Sequence, residues 1–222
     1  MVPAKEWEST FYGYVRLACG VLVHVACTVF TVCIAVLARP GASVFSWHPF
    51  LMSLAFSFFM TEAVLLFSPD CSLVGKLPHK TKGCYHWILQ TLAAICAVLG
   101  LSAIFYNKQL NSKSHFSTWH GLLGLVAVCY AVIQSVGGIS LMYHKLIKGL
   151  PLAKLKRYHA ASGLVLYLLG STSLLLGMCS LWFTASVRSS VWYFLAFCPI
   201  LSSLVIMSQV TNSYIGKKQF QP

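Results

Sequence analysis

Six long apolar stretches, separated by short polar breaks, constrain this chain more than any other feature. A helix needs about 20 apolar residues to cross the hydrocarbon core of a bilayer, which is about 30 Å thick. The breaks carry turn or helix-ending residues, such as Arg39-Pro40-Gly41 and Ser68-Pro69-Asp70. The sequence therefore predicts an all-α, polytopic membrane protein, with a single domain over residues 1–222. Its six transmembrane helices are predicted at about residues 17–37, 48–67, 85–106, 119–143, 159–183 and 191–210.

The composition excludes a soluble globular protein. Hydrophobic residues make up 58% of the chain and charged residues only 9%, whereas soluble proteins carry roughly a quarter charged residues. The net charge of +12 would by itself suit nucleic-acid binding, but the basic residues lie in the short breaks between apolar runs. That distribution is typical of a polytopic protein embedded in a lipid bilayer, and we expect no nucleic-acid partner.

The Lys and Arg residues of the loops predict the orientation of the chain. The N-terminal segment, the second loop, the fourth loop and the C-terminal segment together hold 12 of them, whereas the first, third and fifth loops hold 4. Cytosolic loops of membrane proteins are enriched in positive residues. Both termini are therefore predicted to be cytosolic.

Four of the eight histidines stand at or near the starts of consecutive predicted helices. They are His48, His86, His120 and His159, and each is separated from the next by one helix and one loop. Successive histidines therefore fall at opposite faces of the bilayer. His48 and His120 are predicted to pair in the non-cytosolic layer, and His86 and His159 in the cytosolic layer.

An internal repeat supports these pairs. Each non-cytosolic histidine follows a tryptophan and each cytosolic histidine follows a tyrosine, and the partners are 72 and 73 residues apart. A duplicated two-helix unit would give this spacing. Helices four and five also carry matching stripes, which are His120, Gly124, Ala131 and Gly138, and His159, Gly163, Gly170 and Gly177. Such stripes permit close helix packing, or they leave room for a flat prosthetic group.

Paired imidazoles within a membrane indicate metal or haem ligation. Neutral imidazole is a ligand for iron and other transition metals, and polar side chains within spans are expensive enough to require a role. Two imidazoles from facing helices can hold a haem iron from both sides. Iron that is six-coordinate in this way favours electron transfer over oxygen chemistry, and one such haem in each layer would conduct electrons across the membrane.

Around these histidines the sequence resembles the cytochrome b561 family over nearly its whole length. The segments that carry the resemblance are Ser46-Trp47-His48-Pro49-Phe50-Leu51-Met52, Glu62-Ala63-Val64-Leu65-Leu66-Phe67, His86-Trp87-Ile88-Leu89-Gln90, Trp119-His120-Gly121-Leu122-Leu123-Gly124, and Tyr158-His159 with Gly163. The resemblance implies a central bundle of helices two to five that holds two haem b groups, ligated by the same histidine pairs. It also implies electron transfer from cytosolic ascorbate to monodehydroascorbate or ferric iron across the membrane.

One departure from the family pattern concerns the electron donor. Some relatives place a basic residue after the aromatic residue that ends helix two, whereas Phe67 is followed here by Ser68. The resemblance further implies a membrane of the endoplasmic reticulum or of cytoplasmic vesicles. The sequence leaves the oligomeric state open, with a homodimer among the alternatives.

Basic residues flank the predicted cytosolic pair. Six of them are candidate substrate contacts in the second and fourth loops, namely Lys76, Lys80, Lys82, Lys154, Lys156 and Arg157. Ascorbate is a monoanion near neutral pH, so a cationic mouth would raise its local concentration. Positive-inside topology and contact with anionic lipid explain the same charges, and these alternatives stay open.

The predicted non-cytosolic loops carry basic residues and no carboxylate. Lys108, Lys113 and His115 are the candidate substrate contacts there. Bare Fe³⁺ prefers oxygen ligands. This face is therefore predicted to accept an anion, such as a ferric chelate or monodehydroascorbate.

Other polar residues in or near the spans are assigned no part in electron transfer. Glu62 is the one carboxylate within a span; we favour a hydrogen bond inside the bundle, to Thr61 or to a basic loop residue, over a role in proton coupling. His24 is expected to lack a partner at its depth. His79 and His115 are loop residues that are weak signals of substrate contact on their own, and His144 ends helix four near the cytosolic surface.

Two other functional classes were weighed against electron transfer. The first is a transporter of transition metals or protons that uses the four span-end histidines. Transporters usually place their sites near the midplane, often on broken helices, whereas these histidines fall at span ends. The second is a structural subunit, which would leave histidines in lipid without a purpose.

Overall fold

The computed structural model describes residues 4–143, 151–188 and 190–218, and the side chains of residues 10–143, 151–188 and 190–213. Every regular element in these ranges is helical, and six helices are long and apolar enough to cross a membrane. The predicted all-α membrane fold is thereby confirmed. His144, and Lys145 and Lys148 of the fourth loop, lie outside the described residues.

The membrane-crossing helices form a central bundle with two helices packed around it. The helices are α1 (Ala4–Ala38), α2 (Val44–Leu65), α3 (His79–Leu110), α4 (Trp119–Met142), α5 (Leu152–Met178), the short α6 (Leu181–Ser186) and α7 (Ser190–Lys218). Within the bundle α2 packs on α3, α3 on α4 and α4 on α5, and the middle of α2 also contacts α5. The first and last membrane-crossing helices pack on each other and on the bundle.

A capping box fixes the start of α2. The Ser43 hydroxyl accepts a hydrogen bond from the Ser46 backbone N–H at 3.1 Å, and the Ser46 hydroxyl accepts one from the Ser43 backbone N–H at 3.2 Å. The helix therefore begins four residues before the predicted start at His48. Pro49 would suit the first turn of a helix that begins at His48, but with this earlier start it lies inside the helix.

The middle of α2 is a π-helix, which the sequence pattern does not predict. The π segment covers Ser53–Phe59 and is flanked by the α-helical segments Val44–Met52 and Met60–Leu65. Such insertions often occur at functional sites. Phe56, buried in this segment, packs so closely on α5 that a Cβ at Gly170 would lie 2.5 Å from its ring. Glycine at position 170 is therefore required for this contact.

α5 ends at Met178, five residues before the predicted end of the fifth span. The Met178 carbonyl accepts a hydrogen bond from the Trp192 indole N–H at 3.0 Å, so the helix end is satisfied by a side chain of α7. Ser180 then caps α6 by accepting from the Phe183 backbone N–H at 3.4 Å. The apolar pattern continues through α6, and hydropathy alone therefore merges the two helices.

Candidate functional site

The bundle brings the four predicted histidines together in two facing pairs. The ring centroids of His48 and His120 lie 6.0 Å apart, and those of His86 and His159 lie 6.2 Å apart. The ring planes are inclined by 75° in both pairs. Each pair links two helices that are not neighbours in sequence, α2 with α4 and α3 with α5.

The two pairs lie at different depths in the bundle. The His86 ring contacts the carbonyl of Ala63, which is 15 residues beyond His48 on α2. At a rise of about 1.5 Å per residue, this separation corresponds to roughly 20 Å along the helix. Together the pairs therefore span most of a hydrocarbon core about 30 Å thick.

Backbone carbonyls orient three of the four rings. A carbonyl oxygen only accepts hydrogen bonds, so an Nδ1 atom that contacts one must carry the proton. The Nε2 atom of such a ring keeps a lone pair that can bind a metal, as is usual for metal-ligating histidines. The Nδ1 atoms of His48, His86 and His120 lie 3.0, 2.9 and 2.9 Å from the carbonyl oxygens of Gly100, Ala63 and Ser173.

The fourth ring, that of His159, is oriented by a side chain. Gln134 Nε2 donates to the His159 carbonyl at 2.7 Å and lies 3.2 Å from His159 Nδ1. The Oε1 atom of the same amide accepts from the Ser162 hydroxyl at 2.8 Å. Gln134 is not among the predicted site residues. A polar amide within an apolar span is the signal that identifies it.

The spacing of the rings fits a metal ion held between them. With metal–nitrogen distances of about 2.0–2.1 Å and each nitrogen about 1.1 Å from its ring centroid, opposed imidazoles have centroids about 6.2–6.4 Å apart. The separations of 6.0 and 6.2 Å lie at the lower end of this range or just below it. In the described part of the chain, no group of three or more His, Cys, Asp or Glu side chains could hold a metal ion. Each pair thus supplies two opposed ligands, which suits a metal that brings its other ligands with it, as haem iron does.

A cavity of about 90 Å³ adjoins the His48–His120 pair. Its volume is smaller than that of most cofactor and small-molecule sites, about 300–1,000 Å³. Apolar side chains such as Met52 line it, together with Gly124 and Gly170 of the two small-residue stripes. Both glycines also permit close packing, because a Cβ at Gly170 would lie 2.5 Å from the Phe56 ring and one at Gly124 would lie 3.2 Å from the Ser173 hydroxyl.

Two other positions of the stripes lie against the paired rings. A Cβ at Gly177 would lie 3.0 Å from Cε1 of His120, and a Cβ at Gly138 would lie 3.5 Å from Cε1 of His159. Each of these rings therefore lies against a glycine at the far end of the neighbouring helix. Of the two contacts, the one at Gly177 is tighter than ordinary van der Waals contact, whereas the one at Gly138 is ordinary.

Two of the three predicted non-cytosolic contacts lie at the cavity. Lys108 and His115 line it together with His48 and His120. Lys108 Nζ donates to the Ser114 carbonyl at 2.9 Å, and the His115 ring stacks on Phe105 with centroids 4.1 Å apart. Lys113 is exposed and does not line this cavity.

The basic residues near the His86–His159 pair lie mostly on helices rather than in loops. Lys82 is buried, with 7% of its surface exposed, whereas the other five are exposed. Five of the six basic residues belong to the two helices that carry His86 and His159. Lys80 and Lys82 lie in the first turn of α3, Lys154, Lys156 and Arg157 lie in the first two turns of α5, and Lys76 lies in the loop before α3.

An aromatic side chain connects the loop end of α3 to this pair. The Phe67 ring stacks on His79, with centroids 6.4 Å apart and planes inclined by 12°, and it lies 5.4 Å from the His86 ring. The Phe67 ring therefore lies between His79 and His86 and contacts both. No sequence pattern predicts this contact, because Phe67 and His79 lie on opposite sides of a loop.

His24 has a partner, and the expectation that it lacks one is wrong. Its Nδ1 atom lies 2.8 Å from both carboxylate oxygens of Glu62, and its Nε2 atom donates to the Cys71 carbonyl at 3.0 Å. The Cys27 thiol also donates to Glu62, at 3.3 Å. The contact between His24 and Glu62 is an ion pair within the membrane-crossing part of the bundle.

The expected partners of Glu62 are therefore corrected as well. Thr61 hydrogen-bonds the Tyr167 hydroxyl at 2.8 Å instead. The depth of each residue in its predicted span is the sequence feature that pairs Glu62 with His24. In the predicted spans, His24 lies 13 residues before Leu37 and Glu62 lies 14 residues after His48, so both are equally far from the loop that joins the two helices.

These observations define a class, that of integral membrane four-helix bundles with opposed imidazole pairs at two depths. The sequence profile of eukaryotic cytochrome b561 matches residues 47–184, which include all four paired histidines. The chain belongs to the cytochrome b561 family.

Relatives in the same family are described as reductases. Transmembrane reductase CYB561D2 of Homo sapiens is 55% identical over 222 residues, covering 100% of both chains. Probable transmembrane reductase CYB561D1 of Mus musculus is 39% identical over 221 residues, covering 100% of this chain and 96% of the relative. Lysosomal membrane ascorbate-dependent ferrireductase CYB561A3 of Mus musculus is 28% identical over 175 residues, covering 75% and 71%. The chain is thus a haem-binding oxidoreductase that transfers electrons across a membrane.

Proposed function

We propose that the chain holds two haem b groups and passes electrons from cytosolic ascorbate to monodehydroascorbate or a ferric chelate on the other side. The observation that carries the proposal is the presence of two opposed imidazole pairs, at 6.0 and 6.2 Å, in one bundle. In this proposal His86 and His159 hold the cytosolic haem, and His48 and His120 hold the non-cytosolic haem. When bound, haem supplies a one-electron iron couple.

The charge around the His86–His159 pair supports an anionic electron donor. Exposed basic residues at the starts of α3 and α5 place positive charge beside this end of the bundle. Such a surface raises the local concentration of an anion such as ascorbate. The name of CYB561A3 describes an ascorbate-dependent enzyme, and we extend that dependence to this chain. His79 and Phe67 provide a ring surface that leads from the loop to His86.

The opposite end supports an anionic electron acceptor. The cavity beside His48 and His120 is lined by Lys108 and His115, and the acidic residues of the sequence all fall outside the loops of this side. A bare ferric ion would require oxygen ligands. Monodehydroascorbate and anionic ferric chelates require only positive charge and hydrogen-bond donors, which these side chains provide.

The proposed orientation places both termini in the cytosol, in a membrane of the endoplasmic reticulum or of cytoplasmic vesicles. It follows from the excess of Lys and Arg in the second and fourth loops and in the terminal segments. The family supports the endomembrane assignment. A homodimer is compatible with this arrangement, because each chain contains both histidine pairs.

A transporter of transition metals fits the geometry less well. Transition-metal ions such as Zn²⁺ usually take four protein or water ligands, whereas each pair offers two imidazoles on opposite sides. The π segment does interrupt α2 near its middle, as broken helices do in transporters. However, the buried residues of this segment carry no ionisable group; they are Ser53, Ala55, Phe56 and Ser57.

The test uses the full chain, purified and reconstituted into sealed vesicles. Purified protein should show a b-type spectrum, with two haems per chain. Vesicles that contain trapped ferric chelate or monodehydroascorbate should reduce it when ascorbate is added outside, in proportion to the fraction of chains with the cytosolic face outward. Vesicles without protein are the control. A purified chain with no haem spectrum, or trapped acceptor that stays oxidised while ascorbate reduces the haem, would refute the proposal.

A further inference from the structure

The four paired histidines differ in what their Nδ1 atoms contact. His48, His86 and His120 each donate to a backbone carbonyl. His159 Nδ1 instead lies 3.2 Å from the amide nitrogen of Gln134. In the described ranges, no carbonyl or carboxylate oxygen contacts His159 Nδ1. One ring of the four therefore lacks the acceptor that the other three share.

The orientation of the Gln134 amide follows from its other contacts. Its nitrogen lies 2.7 Å from the His159 carbonyl oxygen. If the amide were turned over, two acceptor oxygens would face each other at this distance, with no proton between them. The Ser162 hydroxyl donates to Oε1 at 2.8 Å and holds the other side of the amide. The nitrogen therefore faces His159.

Room for this amide is provided by a glycine. A Cβ at Gly163 would lie 3.1 Å from Gln134 Nε2, which is closer than ordinary van der Waals contact. Gly163 lies one helical turn after His159 on α5. The absence of a side chain at Gly163 on α5 thus allows Gln134 of α4 to approach His159 closely.

We propose that Gln134 positions His159 and keeps it the weakest electron donor of the four ligands. A histidine that donates its second N–H to an acceptor becomes a more basic ligand, and a more basic ligand stabilises ferric over ferrous iron. When Nε2 binds iron, Nδ1 carries the ring proton and faces the Gln134 nitrogen, which cannot accept it. This arrangement favours the reduced state of the cytosolic haem. Gln134 thereby helps this haem to accept an electron from its donor. The inference rests on the proposed function.

The test replaces the amide by groups of similar length in the full haem-loaded chain. Gln134→Glu places an acceptor beside His159 Nδ1. Its expected effect is a fall of at least tenfold in the reduction equilibrium constant of the cytosolic haem, which is 59 mV for a one-electron couple. The midpoint potential of the other haem should stay unchanged. The low-spin ferric EPR signal of the cytosolic haem should also shift, because the ligand field strengthens; a nearby charge alone would not produce that shift.

A second variant keeps the inference testable if the carboxylate prevents haem uptake at this site. Gln134→Met removes both amide contacts without adding charge. We expect broadening of the cytosolic EPR signal or loss of that haem alone. Ser135→Ala is the matched control, because Ser135 follows Gln134 on α4 but donates only to Ala131 of its own helix, at 2.8 Å.

Three results would overturn the inference. These are wild-type potentials and EPR signals in Gln134→Met, equal shifts of both haems in Gln134→Glu, and loss of both haems together in Gln134→Met. Failure of the proposed function would look different, since the wild-type chain would then lack a two-haem spectrum. A normal wild-type spectrum with insensitive variants would refute the role of Gln134 alone.

Discussion

The two ends of the bundle hold their histidine pairs with nearly the same geometry but with different surroundings. Ring separations are 6.0 and 6.2 Å and the inclination is 75° at both ends. At the His48–His120 end both rings donate to backbone carbonyls beside a cavity. At the His86–His159 end one ring contacts a glutamine side chain. The fold thus places the histidines with the same geometry at both ends, whereas the side chains around them can give the two ends different ligand properties.

The two ends also differ in charge. The His86–His159 end is bordered by basic helix starts and, on α1 and α2, by the buried pair of His24 and Glu62. At the other end Lys108 and His115 line an open cavity. The two ends of one bundle therefore have different electrostatic surroundings, and substitutions at matched positions can separate their contributions.

The largest expected effect comes from removing a ligand at one end only. His86→Ala or His159→Ala should remove the cytosolic haem and stop reduction by ascorbate, because the entry site is lost. His48→Ala or His120→Ala should retain a haem that ascorbate reduces, yet abolish transfer to a trapped acceptor. Haem content and difference spectra of each purified variant give the measurement. Equal loss of both haems in every variant would show that the two ends do not load independently.

The next effect concerns the ion pair on the His86–His159 side. His24 and Glu62 are largely buried, with 13% and 14% of their side chains exposed. His24→Ala leaves the carboxylate without its partner and should cost roughly 3–5 kcal/mol of stability, measured by thermal unfolding in detergent. Arg16→Ala is the matched control, because Arg16 and Asp70 form a more exposed pair at 3.5 Å, and such pairs contribute about 0–1 kcal/mol.

A double substitution sharpens this prediction. Replacing a buried ion pair by apolar residues is often neutral. His24→Leu with Glu62→Leu should therefore be more stable than His24→Ala alone. If the double variant is less stable than either single variant, the two side chains stabilise the chain by some contact other than the attraction between their charges.

Much of the fold follows from the sequence because the bilayer imposes a strong constraint. Spans of about 20 apolar residues and alternating directions are sufficient to predict six helices and the depths of His48, His86, His120 and His159. The helix ends are less predictable. A capping box at Ser43 starts α2 early, and a tryptophan of α7 satisfies the end of α5. These contacts depend on residues outside the apolar periodicity.

The side chains around the site are harder to predict than the histidines. The pairing of His24 with Glu62 can be predicted, because the two residues lie at nearly the same distance from the loop that joins their helices. The acceptors of three Nδ1 atoms are backbone carbonyls, which every residue carries, so no sequence pattern marks them. Gln134 differs, since an amide in an apolar span is visible in the sequence. The π segment of α2 has no clear sequence signature. It changes how the α-helical segment before it is rotated relative to the α-helical segment after it.

Two glycines allow a direct comparison of the ends at matched positions. A Cβ at Gly177 would lie 3.0 Å from the His120 ring, whereas one at Gly138 would lie 3.5 Å from the His159 ring. Gly177→Ala should therefore displace His120 and destabilise the chain by about 1–3 kcal/mol. Gly138→Ala meets only ordinary contact and should be neutral or stabilising by about 0.5–1 kcal/mol, because alanine favours the helix. Thermal unfolding and the EPR signal of the non-cytosolic haem measure both effects, and similar losses in the two variants would contradict the difference in packing.

The smallest expected effect is electrostatic and concerns the cavity end. Lys108 lines the cavity, whereas Lys113 is exposed outside it. Lys108→Gln should slow reduction of an anionic ferric chelate roughly fivefold, since one unit charge near a solvent-exposed site contributes about 1 kcal/mol. Lys113→Gln should change the rate less. Rates measured in oriented vesicles at low and high salt test whether the slower reduction is electrostatic, because salt screens exposed charges. An effect of the same size on a neutral chelate would show that Lys108 acts through its hydrogen bond to Ser114 rather than through its charge.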